Sequence, residues 1–346
     1  MTGSRPRFLV IRLSSIGDIV HALPAVSALG ETFPEAEIDW VVETRYAGLL
    51  EDNPFVHRLV KLDTLGWRRK LSSAQTFREV ARGIRALRQS EYDAALDFQG
   101  LWKSAIIARL CRSQKRVGFA ECWLREPAAA IFYTDRVAPH GRRHMIEQNL
   151  ALAEYLGARA SRWHFPLPRR REDEEYVDKE LARLGSPEYM VINPGGGWTA
   201  KCWGPENYAA LIRRLETEIP WKVLLTGSPA EGAAIQEILK QAEARQAVYF
   251  PSTLLQFVAL ARRTRLFVGC DTGPLHLAAA VGTPIVAIYG PTDPARNGPF
   301  SPSDIVLWKR GPINYTRRTP KPSYISGTSV DSVLAAIRER LRKAYG

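Results

Sequence analysis

Cysteine is scarce in this sequence. Cys111, Cys122, Cys202 and Cys270 are the only four in 346 residues, and none forms a C-x-x-C pair. That spacing excludes a disulfide framework and a zinc site, and it fits a reducing, cytoplasmic compartment. Long apolar runs are missing too. No stretch reaches the 18 residues expected of a membrane-spanning helix. The N-terminal apolar run is only four residues long before Arg12 interrupts it, so no secretory signal is expected there. Neither G-x-G-x-x-G after a strand nor G-x-x-x-x-G-K-[ST] occurs. A dinucleotide dehydrogenase and a P-loop NTPase therefore lack their principal sequence support. No short-period repeat or low-complexity tract is present.

Positive charge, by contrast, is abundant. The net charge is +12, and Arg58 to Arg88 holds nine Lys or Arg against two acids, Asp63 and Glu79. Such a patch suits an anionic partner: nucleic acid, a membrane surface or an anionic substrate. No aromatic-interleaved basic motif accompanies it, which leaves nucleic acid unsupported. Arg78, Arg82, Arg85 and Arg88 fall within about one third of a helix circumference, as a solvated or membrane-facing surface would.

Apolar strand runs alternate with helical patterns twice. The first series starts at "RFLVIRL", and the second at "YMVINPG". Between them lies the charged, proline-bounded "PLPRRREDEEYVDKELARLGSP". Alternation of this kind predicts parallel sheets with helices on both faces. The expectation is an α/β chain of two Rossmann-like, doubly wound domains facing across a cleft. The boundaries are 1–170 for an acceptor-binding domain and 171–325 for a nucleotide-sugar domain. Residues 326–346 form a C-terminal helix expected to pack back on the first domain. Ligands of such sheets sit at the carboxyl ends of the strands.

Three loops of the second series suit one nucleotide diphosphate. In "VGCDTGPLHLAAAVGTP" a strand runs into Asp271, Thr272 and Gly273, with Pro274 opening a helix. Free amides and the helix dipole there favour a diphosphate, Thr272 adds a hydroxyl, and His276 lies one turn on. Asp271 repels phosphate by charge, so it reads as an acceptor for sugar hydroxyls, or else as a plain helix cap. "NPGGGWTAKCW" offers a glycine cradle with Lys201 beside it. "TGSPAEGAAIQ" offers Glu231 to ribose hydroxyls, or as an ordinary acid at a helix start.

The opening stretch "IRLSSIGDIVHALPA" places Asp18 at a strand-to-helix turn. A cap, a phosphate-loop residue and a catalytic base are all consistent with it. His21, Asp97, Gln99, the basic "WRRK" (Arg68, Arg69 and Lys70) and Arg125 are further candidates of the first domain.

Taken together, "RLSSIGDIVHALPA", "IDWVVE", "DFQGLWKSA", "REPAAAIFY", "WTAKCW" and "DTGPLHLAAAVGTPIVAIYGPTDP" resemble glycosyltransferase family 9, the lipopolysaccharide heptosyltransferases, and among them the heptosyltransferase I type. The likeness runs from about residue 7 to 340. It implies a GT-B fold and an inverting mechanism that needs neither metal nor cofactor. The implied donor is ADP-L-glycero-D-manno-heptose. The implied acceptor is the first Kdo (3-deoxy-D-manno-octulosonic acid) of Kdo-lipid A, met peripherally on the cytoplasmic face of the inner membrane.

By the same resemblance Asp18 is the general base and Lys201 binds donor phosphate. Asp271, Thr272, Gly273 and His276 contact donor sugar and diphosphate, while Arg68, Arg69, Lys70 and Arg125 bind the anionic acceptor. The glycine run of "NPGGGWTAKCW" is absent from some heptosyltransferases of type I. Another donor or acceptor, as in heptosyltransferase II, therefore stays open, as does a sugar-nucleotide epimerase of the same architecture.

Overall fold

The computed structural model describes residues 5–69, 73–186, 188–196, 198–309, 311–315 and 325–345, without the side chains of 68, 69 and 326. The chain divides into two compact units, Met1–Pro168 and Arg169–Gly346.

The first unit holds a six-stranded sheet of β1 (Arg7–Ile11), β2 (Glu37–Glu43), β3 (Arg58–Leu62), β4 (Glu91–Asp97), β5 (Arg112–Phe119) and β6 (Asp135–Val137), in the order β3-β2-β1-β4-β5-β6. Every pairing is parallel. Strands covered on both faces need unbroken apolar runs rather than alternation. "FLVI" in β1 supplies one, with Leu9, Val10 and Ile11 fully buried.

Helix Ile16–Thr32 follows β1 and is buried over most of its length, Pro24 included. It packs against helix Met145–Tyr155, where Asn149 donates to the His21 carbonyl at 2.9 Å. On the other face of the sheet, Leu87, Ile107 and Ala108 join Leu9, Ile11 and Val41 in one core.

The second unit repeats the plan with β7 (Tyr189–Asn193), β8 (Lys222–Gly227), β9 (Val248–Pro251), β10 (Leu266–Cys270), β11 (Ile285–Tyr289) and β12 (Ile305–Trp308), in the order β12-β11-β10-β7-β8-β9. Counted from the first strand of each unit, both sheets read 3-2-1-4-5-6, the doubly wound order. The order reverses between β1 and β4, and again between β7 and β10. Ligands of such sheets bind at these two places.

The C-terminal helix, Val330–Tyr345, belongs to the second unit, contrary to the expectation that it packs on the first. Val333, Leu334, Ala336 and Ile337 enter the same core as Leu211, Leu215, Val286 and Ile288. Burying an aliphatic side chain of this size stabilises by about 1.5–3 kcal/mol, so the apolar face of this amphipathic helix fixes its place. A buried ion pair of Arg340 with Asp304, at 3.0 Å, pins it further, and Asp304 also accepts the Ile285 N–H at 3.0 Å.

Candidate active site

In the first unit the reversal point is built around an arginine that interrupts an apolar run. Arg12 directly follows β1 and is 5% exposed. Its guanidinium donates to the Phe98 carbonyl beyond β4 and forms an ion pair with Asp18. Leu13 N–H donates to Gln99 Oε1 at 2.9 Å, so Gln99 ties the ends of β1 and β4 together. Asp97 is fully buried and accepts from Gln99 N–H, Gly100 N–H and the Tyr133 hydroxyl. Burial raises its pKa against those bonds. Asp97 is thus an anchor of the turn.

Asp18 is both a helix cap and an accessible carboxylate. It stands in the first turn of helix Ile16–Thr32, and its Oδ2 accepts from Ser15 N–H at 3.0 Å and from Ser15 Oγ at 2.8 Å. The reciprocal placing of Ser and acid is a capping box. Oδ1 faces Arg12. The side chain of Asp18 remains 40% exposed while that of Arg12 is 6% exposed. Burial by itself would raise the Asp18 pKa. The Arg12 guanidinium, the two Ser15 bonds and His21 outweigh it and bring the value down to about 2. The carboxylate is therefore ionised at any physiological pH.

Arg125 is exposed, beyond β5, with no carboxylate partner among the described residues. Arg68 and Arg69 end the short helix Thr64–Arg69, and their side chains lie outside the described ones. Lys70 lies outside the described residues altogether.

In the second unit Asp271, at the end of β10, is the hub. Its side chain is 2% exposed and receives four partners. Oδ2 takes the Lys201 ammonium and the Thr292 hydroxyl, the latter at 2.6 Å. Oδ1 faces His276 Nε2 at 3.1 Å and accepts from Asn297 Nδ2 at 3.0 Å. Burial opposes the charge, but the His276 bond and the Lys201 charge hold the carboxyl far below the usual range.

Protein groups thus occupy both oxygens of Asp271. His276 thus directs its Nε2 to Asp271. Lys201 has one ion pair among the described residues, lies 5.6 Å from the centre of the Trp198 ring and is 20% exposed. An ammonium has three donors, so such a lysine can hold a phosphate while keeping its carboxylate.

Around this hub the strand-end loops close on one another. Thr272 caps helix Gly273–Ala280, and its Oγ1 is buried with no hydrogen-bond partner among the described residues. A methyl group on Gly196 would lie 3.3 Å from the Thr272 methyl and 3.2 Å from Cys202 Sγ. One on Gly195 would run into Glu231 Oε1. Glu231 in turn accepts from Ser228 N–H at 2.8 Å and Ser228 Oγ at 2.7 Å, a second Ser-x-x-acid capping box.

Three residues went unread in the sequence. Arg12 is signalled by a lone charge at the end of a buried strand. Thr292 and Asn297 follow β11, the neighbour of β10, where a parallel sheet brings adjacent strand ends together.

The family model of glycosyltransferase family 9 (heptosyltransferase) matches residues 80–323. The chain belongs to this family. This glycosyltransferase is 31% identical over 304 residues to lipopolysaccharide heptosyltransferase 1 of Pseudomonas aeruginosa, covering 87% of this chain and 83% of that one. It is 30% identical over 319 residues to lipopolysaccharide heptosyltransferase 1 of Escherichia coli K12, with coverage of 87% and 92%. The structure of the E. coli heptosyltransferase WaaC with ADP-2-deoxy-2-fluoro heptose superposes on it with a TM-score of 0.76 at 26% identity, covering 96% of this glycosyltransferase and 99% of that chain.

Proposed function

We propose that the enzyme transfers L-glycero-D-manno-heptose from ADP-heptose to Kdo of Kdo-lipid A, with inversion, on the cytoplasmic face of the inner membrane. The observation that carries this reading is the likeness, over nearly the whole chain, to a heptosyltransferase solved with an ADP-heptose analogue. No helix among the described residues is long and apolar enough to cross a membrane, consistent with a peripheral enzyme.

Asp18 acts as the base in this mechanism. As an acceptor hydroxyl attacks the anomeric carbon, the C–O bond to the diphosphate breaks and ADP leaves. The hydroxyl proton passes to the Asp18 carboxylate. A carboxylate with a pKa near 2 is a weak base, so it takes the proton late, once bond formation has made the hydroxyl acidic. Its permanent negative charge also favours the cationic character that develops on the sugar. Ser15 and Arg12 hold the carboxylate in place, which lowers the reorganisation needed during the step.

In the second unit Lys201 and the free amides at the start of helix Gly273–Ala280 take up the charge gathering on the departing ADP. Asp271 fixes Lys201, and Gly195 and Gly196 keep the approach to the backbone open. Glu231, beside Gly195, and the unpartnered Thr272 hydroxyl face donor groups. Arg125, with the basic 68–70 segment, meets the anionic acceptor.

A donor panel tests the reading. Kdo-lipid A is incubated with ADP-heptose, UDP-sugars and GDP-sugars, and products are read by mass spectrometry. A single heptosyl addition, from ADP-heptose only, is expected. Transfer from a UDP- or GDP-sugar instead, or none from ADP-heptose, overturns it.

A further inference from the structure

Helix Trp102–Leu110 is apolar on both sides. Ser104, Ala105, Ile107 and Ala108 are buried beneath it. Trp102, Ile106 and Leu110, spaced four apart, point the other way and are 41%, 42% and 37% exposed. The neighbouring 3-10 turn Pro127–Phe132 lies against this helix, its Phe132 ring edge-on to Trp102 with centres 5.5 Å apart, and it presents Ile131 to solvent. Helix Ala74–Leu87 packs beside helix Trp102–Leu110 and presents Phe77. Five of the nine large hydrophobic side chains exposed among the described residues thus sit on three adjoining elements of one unit.

Arginines surround this strip. Arg78, Arg82 and Arg85 are exposed on helix Ala74–Leu87, Arg88 follows it, and Arg109 stands beside Leu110. None of the five has a carboxylate partner among the described residues. An apolar strip bordered by unneutralised guanidinium groups matches a bilayer with anionic headgroups. Aliphatic and indole groups enter the interface, and the cations meet lipid phosphate.

We propose that this face of the first unit docks the enzyme on an anionic lipid bilayer, with the Trp102–Ile106–Leu110 strip in the headgroup region and the arginines of helix Ala74–Leu87 on lipid phosphates. The inference deepens the transferase reading, on which it rests for the lipid anchor of the acceptor.

Flotation of the full chain with phosphatidylcholine vesicles, with and without phosphatidylglycerol, tests it. The wild type floats with the phosphatidylglycerol vesicles, and less so as salt is added. Ile106→Ser with Leu110→Ser lowers partitioning by roughly tenfold. Arg82→Gln with Arg85→Gln removes most of the preference for phosphatidylglycerol. Both double variants keep wild-type turnover on a deacylated, water-soluble Kdo acceptor.

Unchanged flotation of both variants overturns the docking face, and so does a wild type that ignores phosphatidylglycerol. A lipid-free shift in self-association by Ile106→Ser with Leu110→Ser, seen by sedimentation, also overturns it in favour of a contact between copies. Absence of transfer to any acceptor would refute the transferase reading and leave the flotation result standing.

Discussion

Arg12 and Asp18 form an ion pair in which the arginine is buried and the aspartate is half-buried. The buried partner sets the charge state of the accessible one. In the wild type, kcat/KM should show no acid limb from Asp18 between pH 5 and 9, because its pKa is about 2. Arg12→Gln removes the main opposing charge, so burial pulls the Asp18 pKa upward. An acid limb then moves into the measurable range, and kcat falls by roughly 10–100-fold as the carboxylate loses its fixed position. A pH–rate profile of the two proteins checks this.

The same pair contributes to stability with a definite sign. The folded-state pKa of Asp18 lies below its ordinary value of 3.8. Its contribution is therefore complete above about pH 4 and is lost as the pH falls through 2. Thermal melts of wild type and Asp18→Asn should differ at pH 7 and converge only as the pH falls through about 2.

Asp271 should be the most sensitive position of the second unit. Asp271→Ala leaves the Lys201 ammonium without its partner and strands Thr292 and Asn297. Removing one member of a buried pair costs about 3 kcal/mol. That corresponds to a Tm drop of roughly 6–12 °C for a unit of this size. ADP affinity falls at least tenfold because Lys201 is no longer held. Thr292→Val, which removes one neutral hydrogen bond, costs about 1 kcal/mol. Calorimetric unfolding and ADP titration separate the two outcomes.

Gly195 and Glu231 should behave as a coupled pair. Gly195→Ala pushes the Glu231 carboxylate out of place and raises the donor KM about fivefold, with kcat little changed. Glu231→Ala frees that space at the expense of the Ser228 cap. The double variant should therefore be less impaired than the two single effects combined, with a coupling of about 1 kcal/mol. Steady-state kinetics of the three variants provide the cycle.

The long elements were legible because both sheets are buried on two faces. "FLVI", "MVIN" and "PIVAIY" are runs that only a covered parallel strand needs. The edge strands β6 and β12 were missed, although β9, an edge strand of four residues, was read from "AVYFPS". Helix Met145–Tyr155 was missed too. Its N-cap is His144, an unusual capping residue, although Glu147 completes a capping box. The helix at 330–345 was found, but its partner was not, because an amphipathic pattern says that a face is buried without saying against what.

At the site, sequence order exposed the strand-end residues Asp18, Gln99, Lys201 and Asp271. It could not show that Asp271 spends its oxygens on Lys201, His276, Thr292 and Asn297, because those bonds span up to 70 residues. Asp18 as a helix cap was legible in Ser15-x-x-Asp18. The depressing effect of Arg12 required the fold of the turn.

The most direct measurement is single-turnover transfer from ADP-heptose to Kdo-lipid A by wild type and Asp18→Asn, followed by mass spectrometry, with ADP affinity titrated alongside. If Asp18 is the base, Asp18→Asn binds ADP within about twofold of wild type and adds the heptosyl group at least 100-fold more slowly. Equal transfer rates in the two proteins would contradict the account.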